Sequence, residues 1–329
     1  MQISIEQLKQ TTLRALAAQG YDAEESATIL EVLMYAQLRG NNQGVVKLIG
    51  AGMPKSPNAG AITVIHETKL SARLDGAQNH AMIVLDQAVE MAIEKASAHD
   101  IGIVGTRNTN TSTGAIGYYA GRIAKAGYIG FVFSGSNLYV AMHGSYEPLF
   151  GTNPLAIGIP SAGKPIVFDM ATSAIARFGI IEAKTAGRPI PPGVAVDADG
   201  NPTTDAAAAL AGAILTFGGY KGAALSLIVE VLTGPLVGAS FVGFGDPKHD
   251  CGNLALAINP ALLIDADAFK ADVERLTTRV KAAKRLPGVD EIFIPGERGD
   301  KLLEAALQTG SVEIDDALWA ALEQAAGQS

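Results

Sequence analysis

One lysine surrounded by glycines stands directly before a long apolar stretch, in the segment Phe217-Gly218-Gly219-Tyr220-Lys221-Gly222. Glycines allow backbone N–H groups to converge on one point, and the N-terminus of the helix predicted for about 222–236 adds a favourable dipole. Gly219, Lys221 and Gly222 are therefore predicted to bind a phosphate group. The alternative is a lysine that is merely solvated.

A second candidate lies where a predicted strand ends, at Phe168-Asp169-Met170-Ala171-Thr172-Ser173. A carboxylate is followed there by small and hydroxyl-bearing residues, whose O–H and backbone N–H groups suit a ribose or a phosphate. Asp169, Met170, Ala171 and Thr172 are therefore candidate ligand contacts. A plain turn held by Asp169 and Thr172 explains the pattern equally well.

Two further polar segments adjoin predicted elements. In Gly151-Thr152-Asn153-Pro154-Leu155, Asn before Pro is a turn signal, and Thr152 and Asn153 offer side-chain hydrogen bonds. The polar run Arg107–Gly114 precedes a predicted helix. Such a run can cap a helix or bind an anion, so Ser112, Thr113 and Gly114 are candidates for either role.

The segment Arg39-Gly40-Asn41-Asn42-Gln43-Gly44-Val45-Val46-Lys47-Leu48 follows a predicted helix and ends in a cation. It resembles the R-G-x-D-S-H-G-x-x-R element of the malate/L-lactate dehydrogenase type-2 family, which also contains ureidoglycolate and sulfolactate dehydrogenases and cyclic-imine reductases. Further matches come in family order: G-T-N-P-L at 151–155, D-M-A-T-S at 169–173, D-x-x-G-x-P-T-T-D at 197–205, G-G-x-K-G at 218–222 and P-G-E at 295–297. The chain is identified as an atypical member of this family.

The resemblance implies a homodimer with an α/β fold, in which a non-Rossmann, mixed and mostly antiparallel sheet binds NAD or NADP. It also implies hydride transfer at the alpha carbon of a small 2-imino or 2-oxo carboxylic acid. Lys47, in place of the family's Arg, would hold the substrate carboxylate with help from Gln43 and Thr152. The implied cofactor contacts are Ser112, Thr113, Gly114, Asn153, Asp169, Met170, Ala171, Thr172, Gly219, Lys221 and Gly222.

Two histidines of the family pattern are missing from this chain. Gln43 stands in place of the proposed acid/base, and the run at 107–114 lacks the second His. Reduction of a ketone requires a proton on its oxygen, which an amide cannot supply. Three explanations stay open. His143 is the acid, which makes it a catalytic candidate beside Gln43 and Lys47; the substrate is an imine that arrives protonated; or the chain is a non-catalytic nucleotide-binding paralogue.

The choice of reaction follows from these explanations. Imine reduction is slightly favoured, and a malate- or lactate-like 2-hydroxy acid dehydrogenase using His143 is the rival enzyme. The remaining histidines, His66, His80, His99 and His249, look less useful as proton donors.

The elements that must position these residues follow from apolar periodicity and capping signals. Residues 1–56 and 268–329 are predicted to form one discontinuous helical domain, 57–120 a small α/β domain, and 121–267 the cofactor-binding domain. Gly50-Ala51-Gly52 imitates a dinucleotide-binding turn. Because Pro54 and Pro57 break the helix that such a turn requires, a Rossmann fold is not predicted.

Composition narrows the class of protein. The 329 residues carry a formal charge of -8, which argues against a nucleic-acid binder, and no secretory signal or membrane-spanning stretch is predicted. The chain has one cysteine, Cys251, and five scattered histidines, so neither an intrachain disulfide nor a zinc spacing is expected. These features indicate a globular, cytoplasmic protein without a metal site.

Overall fold

The computed structural model describes residues 1–246 and 250–327. The helices in this part of the chain are α1 (Ile5–Ala18), α2 (Ala23–Gln37), α3 (Ala81–His99), α4 (Gly117–Lys125), α5 (Arg177–Thr185), α6 (Ala206–Ala211), α7 (Tyr220–Thr233), α8 (Ala266–Lys281), α9 (Glu297–Thr309) and α10 (Asp316–Ala325). Two short 3-10 helices span Val45–Leu48 and Pro260–Leu262.

The strands of the same residues build three sheets. They are β1 (Gln2–Ser4), β2 (Thr63–Glu67), β3 (Ser71–Asp75), β4 (Ile101–Thr109), β5 (Ile129–Ser134), β6 (Val140–Ala141), β7 (Pro148–Phe150), β8 (Leu155–Ile159), β9 (Ile166–Met170), β10 (Ala195–Val196), β11 (Ala213–Ile214), β12 (Cys251–Ile258) and β13 (Ser311–Glu313).

The largest sheet has the strand order β2-β3-β4-β12-β5-β8-β9. Its neighbours are antiparallel except for the parallel pair β3 and β4. Helix α3 packs on β4, α4 on β8 and α7 on β12. This arrangement confirms the predicted fold class, a mixed and mostly antiparallel sheet without a Rossmann turn. The 3-10 helix at Val45–Leu48 stands where a Rossmann strand would have to be.

The two ends of the chain lie together. Strand β1 pairs with β13, and the Met1 amino group donates to Ile314 O at 2.7 Å. An ion pair of 2.9 Å joins Arg39 to Asp300, and Trp319 is buried in the same core as the N-terminal helices. Helix α10 thus packs on α1, while the division of the chain into domains stays a prediction.

The first two helices begin at residues whose side chains form helix caps. Ser4 Oγ accepts from Gln7 N at 3.1 Å. The Asp22 carboxylate accepts from the N–H groups of Glu24 and Glu25, and the Glu25 carboxylate accepts in return from Asp22 N–H. Each contact satisfies an amide at a helix start that has no partner inside the helix.

A smaller lobe stands beside the main sheet. Its strands have the order β10-β11-β6-β7 and its own buried core includes Val140, Ile180 and Ile214. This lobe carries α5 and the segment before β6, both of which reach the candidate site. Among the described residues, no helix combines the length and the apolar character needed to cross a membrane.

Candidate active site

A cleft of about 440 Å³ lies where the main sheet, the smaller lobe and the 3-10 helix meet. This volume is in the roughly 300–1,000 Å³ range of small-molecule sites. Its walls come from residues within 41–53, 111–116, 134–139, 152–154, 169–171 and 176–181, together with Cys251. The cleft therefore gathers four of the five polar segments singled out from the sequence, all but the glycine-rich turn at 217–222.

Lys47 is buried in the wall of this cleft, with 4% of its surface exposed. Its Nζ donates to Ser112 Oγ at 3.0 Å and lies 4.3 Å from the centroid of the Phe178 ring. Among the residues that the structure describes, no carboxylate forms an ion pair with it. Because burial disfavours the charged form, the pKa of the Lys47 ammonium falls from 10.5 to about 7.

Gln43, four residues before Lys47 in the chain, also lines the cleft. Its Nε2 donates to Asn42 Oδ1 at 3.2 Å. The side-chain oxygen is an acceptor and the amide is a donor, so Gln43 can orient a bound substrate but has no proton to release.

The polar run before α4 lines the cleft and does not cap the helix. Helix α4 starts at Gly117, after Ile116, without a side-chain cap. The interpretation of Ser112 or Thr113 as helix caps is therefore wrong. The chain turns at Thr111 (φ 66°) and Gly114 (φ 73°), which turns Ser112 Oγ toward Lys47 instead.

Asp169 closes another side of the cleft, at the end of β9. Its Oδ2 accepts from the N–H of Gly117, the first residue of α4, at 2.7 Å. The residue is exposed at the rim of the cleft, but partial desolvation of its carboxylate raises the pKa to about 6, and the hydrogen bond from Gly117 N–H opposes this rise. Met170 and Ala171 line the same wall. Thr172 lies behind it, where its N–H and hydroxyl both donate to Thr152 O.

Helix α7 accepts hydrogen bonds from the turn that carries Thr152 and so fixes the position of this turn. Asn153, at a φ of 37°, donates from Nδ2 to Ser226 O at 3.1 Å and to Glu230 Oε2 at 2.8 Å. Thr152 N donates to Ser136 Oγ at 2.9 Å. Thr152 therefore borders the cleft, whereas Asn153 is fully buried and supports the turn.

The glycine-rich turn at the start of α7 lies outside the walls of this cleft. Gly219 is the N-cap and has a φ of 61°, a left-handed conformation that favours glycine. At Gly222, a Cβ would lie 2.1 Å from Phe217 O, so this glycine is needed for the turn to pack on the helix. Lys221 is exposed beside them.

His143 lies with this turn and not with Lys47. It is exposed, and its ring centroid is 6.4 Å from that of Tyr220. His80 is nearer to Lys47 but is a buried helix cap, whose Nδ1 accepts from Met82 N at 3.1 Å. Burial and then the Lys47 charge lower the pKa of His80 to about 3. His249 lies outside the described residues.

Several cleft residues were not assigned to the site from the sequence, among them Tyr139, Arg177 and Phe178. Arg177 and Phe178 open α5, and the Arg177 guanidinium carbon lies 3.8 Å from the centroid of the Tyr139 ring. Ala176 precedes α5 without a side-chain cap, so the start of this helix carries no capping signal that the sequence could reveal.

Comparison with known proteins agrees with this arrangement. The sequence model for malate/L-lactate dehydrogenase matches residues 3–323. An L-sulfolactate dehydrogenase from Methanothermobacter thermautotrophicus is 36% identical, over 97% of this chain and 94% of the relative. A ureidoglycolate dehydrogenase (NAD(+)) from Escherichia coli is 31% identical, over 96% of this chain and 93% of the relative.

A solved structure shows the same fold. The delta1-piperideine-2-carboxylate reductase from Pseudomonas syringae superposes with a TM-score of 0.83 and 29% identity, and the match covers 99% of both chains. Together with the family match over nearly the whole length, these similarities confirm the resemblance inferred from the motifs. The chain therefore belongs to the malate/L-lactate dehydrogenase family and is an oxidoreductase.

Proposed function

We propose that this oxidoreductase uses NAD or NADP to transfer hydride to the alpha carbon of a small 2-imino or 2-oxo carboxylic acid. The observation that carries the proposal is the buried Lys47 ammonium in a cleft of substrate size. A charge removed from water requires a counter-ion, and the described residues provide no carboxylate to pair with Lys47. A substrate carboxylate fits that requirement. The names of the relatives, which include a sulfolactate dehydrogenase and a piperideine-2-carboxylate reductase, support an acidic substrate.

Each residue of the cleft then has a distinct task. Lys47 holds the carboxylate, and Gln43 and Thr152 donate or accept hydrogen bonds at the substituent on the alpha carbon. In a 2-oxo acid the carboxylate and the oxo oxygen are neighbours, so one ammonium can contact both. Since the pKa of Lys47 is about 7, it can also release a proton near neutral pH. A 2-hydroxy acid dehydrogenase that relies on His143 remains the alternative enzyme.

The cleft also fits the polar groups of a nicotinamide cofactor. The buried oxygens Thr111 Oγ1 and Asn137 Oδ1 line it and have no hydrogen-bond partner among the described residues. Hydroxyl and amide donors of a ribose and a carboxamide would satisfy them. Asp169, Met170 and Ala171, which line the same cleft, would hold the ribose. When bound, the reduced nicotinamide supplies the hydride.

The proposal is tested by following the oxidation of NADH and NADPH with a panel of 2-oxo acids and cyclic 2-imino acids. We expect turnover with at least one class of acid and a preference for one cofactor. Cofactor binding in calorimetry without turnover of any acid would indicate a non-catalytic nucleotide-binding protein and would contradict the proposal.

The Gly-rich turn before α7 is proposed to bind a cofactor phosphate through Lys221. Lys221→Ala should weaken cofactor binding by about 1.5–3 kcal/mol, because a charge-assisted contact is lost. Calorimetry with the reduced cofactor measures this change, and thermal unfolding should be unaffected because Lys221 is exposed. Lys69→Ala, in the exposed turn between β2 and β3, is the matched control. An unchanged dissociation constant would refute the assignment of Lys221.

We also propose that the chain forms a homodimer through the outer face of α7. Tyr220, Leu227, Ile228 and Val231 are all exposed, and their spacing places them along one side of the helix. A large exposed apolar patch of this kind marks an interaction surface. We propose a second copy of the chain as the partner. A subunit packed on Tyr220 would also cover His143, whose ring lies 6.4 Å from the Tyr220 ring, and would shield the glycine-rich turn beside them from solvent.

Ile228→Asp is therefore expected to convert the dimer into a folded monomer. Ile228 is 54% exposed within one chain, so a carboxylate there costs the isolated fold little, whereas burial in an interface would be unfavourable. Light scattering after gel filtration measures the mass. Leu307→Asp, on α9 and 59% exposed, is the control that should leave the dimer intact. A monomeric wild type would contradict the proposed interface.

A further inference from the structure

We propose that the cleft recognises a second anionic group on the substrate, and that Arg177 binds it. This inference rests on the proposed function and narrows it, from small 2-oxo and 2-imino acids in general to those carrying an additional carboxylate or sulfonate. Arg177 belongs to no motif that the sequence indicated.

The charge of the cleft is opposite to that of the protein. The chain as a whole carries -8, yet the charged residues that line the cleft in the described part of the chain are Lys47, Arg177 and one carboxylate, Asp169. Cations gathered in a cleft of an acidic protein create a local field that favours anionic ligands. A monoanionic substrate needs only one of the two cations.

Arg177 is held in a fixed orientation without being neutralised. Its guanidinium carbon lies 3.8 Å from the centroid of the Tyr139 ring, and Tyr139 Oη accepts from Asn137 Nδ2 at 3.2 Å. Stacking occupies the face of the guanidinium and leaves its N–H groups, which lie in the plane, for a ligand. Within residues 1–246 and 250–327, Arg177 has no ion-pair partner.

The backbone around Arg177 favours an anion as well. Arg177 and Phe178 are the first two residues of α5, whose N-cap, Ala176, has no side chain that can accept a hydrogen bond. The first amides of a helix have no partner inside the helix. The buried, unpaired ammonium of Lys47 independently indicates that an anion enters this part of the cleft.

The two cations lie in adjacent parts of the cleft. Phe178 is the neighbour of Arg177 in the chain, and its ring lies 4.3 Å from Lys47 Nζ. Lys47 would bind the carboxylate next to the reacting carbon, and Arg177 the acidic group at the far end of the same molecule. A cofactor phosphate is the other possible source of an anion at Arg177.

The test compares paired substrates that differ in one anionic group. Pyruvate is paired with oxaloacetate, and piperideine-2-carboxylate with piperideine-2,6-dicarboxylate. We expect wild type to prefer the dianion of a pair. Arg177→Gln should lower kcat/KM for the dianion about 10- to 100-fold, the factor that one charge-assisted contact contributes, with little change for the monoanion. Arg177→Lys, which keeps the charge but loses the planar fork, should fall between wild type and Arg177→Gln.

The matched control is Arg188→Gln, an exposed arginine outside the cleft, which should leave the preference unchanged. An equal loss for both members of a pair would overturn the inference. A rise in the KM of the cofactor alone would assign Arg177 to a cofactor phosphate and would overturn it too. If wild type reduces none of these acids, the proposed function fails. Calorimetric binding of malate against lactate in wild type and Arg177→Gln then decides the inference without turnover.

Discussion

Lys47→Met is expected to reduce kcat/KM for acidic substrates about 100-fold or more while making the folded protein more stable. The loss follows because a charge-assisted contact to the carboxylate costs roughly 1.5–3 kcal/mol, and ketone substrates also lose a proton source. The gain follows because methionine has a similar shape and carries no charge into the buried site. Steady-state kinetics and thermal unfolding measure the two effects separately.

The same residue predicts two dependences on pH. The pKa of Lys47 falls from 10.5 to about 7 on folding, so below pH 7 the ammonium is buried at full cost. That cost fades as pH rises from about 7 toward 10.5, so the stabilisation by Lys47→Met should be largest below pH 7 and disappear above 10. In wild type, kcat/KM for 2-oxo acid reduction should fall as pH rises through about 7.

Lys69→Met, in an exposed turn, is the control and should change neither the melting temperature nor kcat/KM. A lower melting temperature for Lys47→Met at pH 6 would show that the ammonium is stabilised by something other than a bound anion. An unchanged KM would show that the substrate carboxylate is held elsewhere.

The second large effect concerns the source of the proton. Wild type is expected to reduce cyclic 2-imino acids faster than the corresponding 2-oxo acids, because a protonated C=N accepts hydride without a general acid. His143→Ala should then leave imine reduction within a few-fold of wild type. If ketone reduction through His143 is the true activity, the same variant should lose about 100-fold or more in kcat, the typical contribution of a positioned acid.

Four rates decide between these mechanisms: an imine and a ketone, each with wild type and His143→Ala. Fast ketone turnover that disappears in His143→Ala would defeat imine reduction as the main activity. Fast ketone turnover that survives this change, combined with a much larger loss of ketone than of imine turnover in Lys47→Met, would assign the proton to Lys47. The exposed position of His143 beside Tyr220, away from the cleft walls, favours the survival of activity.

Local sequence patterns account for many of the elements, and the exceptions have either a local or a long-range cause. β5, β8 and β9 coincide with compact apolar runs bounded by turns, which a reading along the chain can recognise. β4 extends beyond its apolar part to Thr109, because pairing with β12 continues through its polar residues. α5 was not predicted, since Ala176 provides no cap and Gly179 lowers its helix propensity.

The sequence by itself determined the secondary structure at both ends of the chain, the family, and the short segments that approach the site. Those properties depend on neighbouring residues and on motif order, which can be read along the chain. Motifs did not reveal that Asn153 and Thr172 would be buried supports, nor that Lys221 and His143 would lie together outside the cleft walls.

Only the tertiary structure decided the chemistry of the cleft. The contact between Lys47 and Ser112 joins residues 65 positions apart, and Arg177 comes from a separate lobe. The lowered pKa of Lys47 is caused by burial, which depends on how the 3-10 helix, the run before α4 and the start of α5 pack together. Burial and long-range contacts are properties of the packed fold, so neither the charge state of Lys47 nor the pairing of two cations could be read from residue types and spacing.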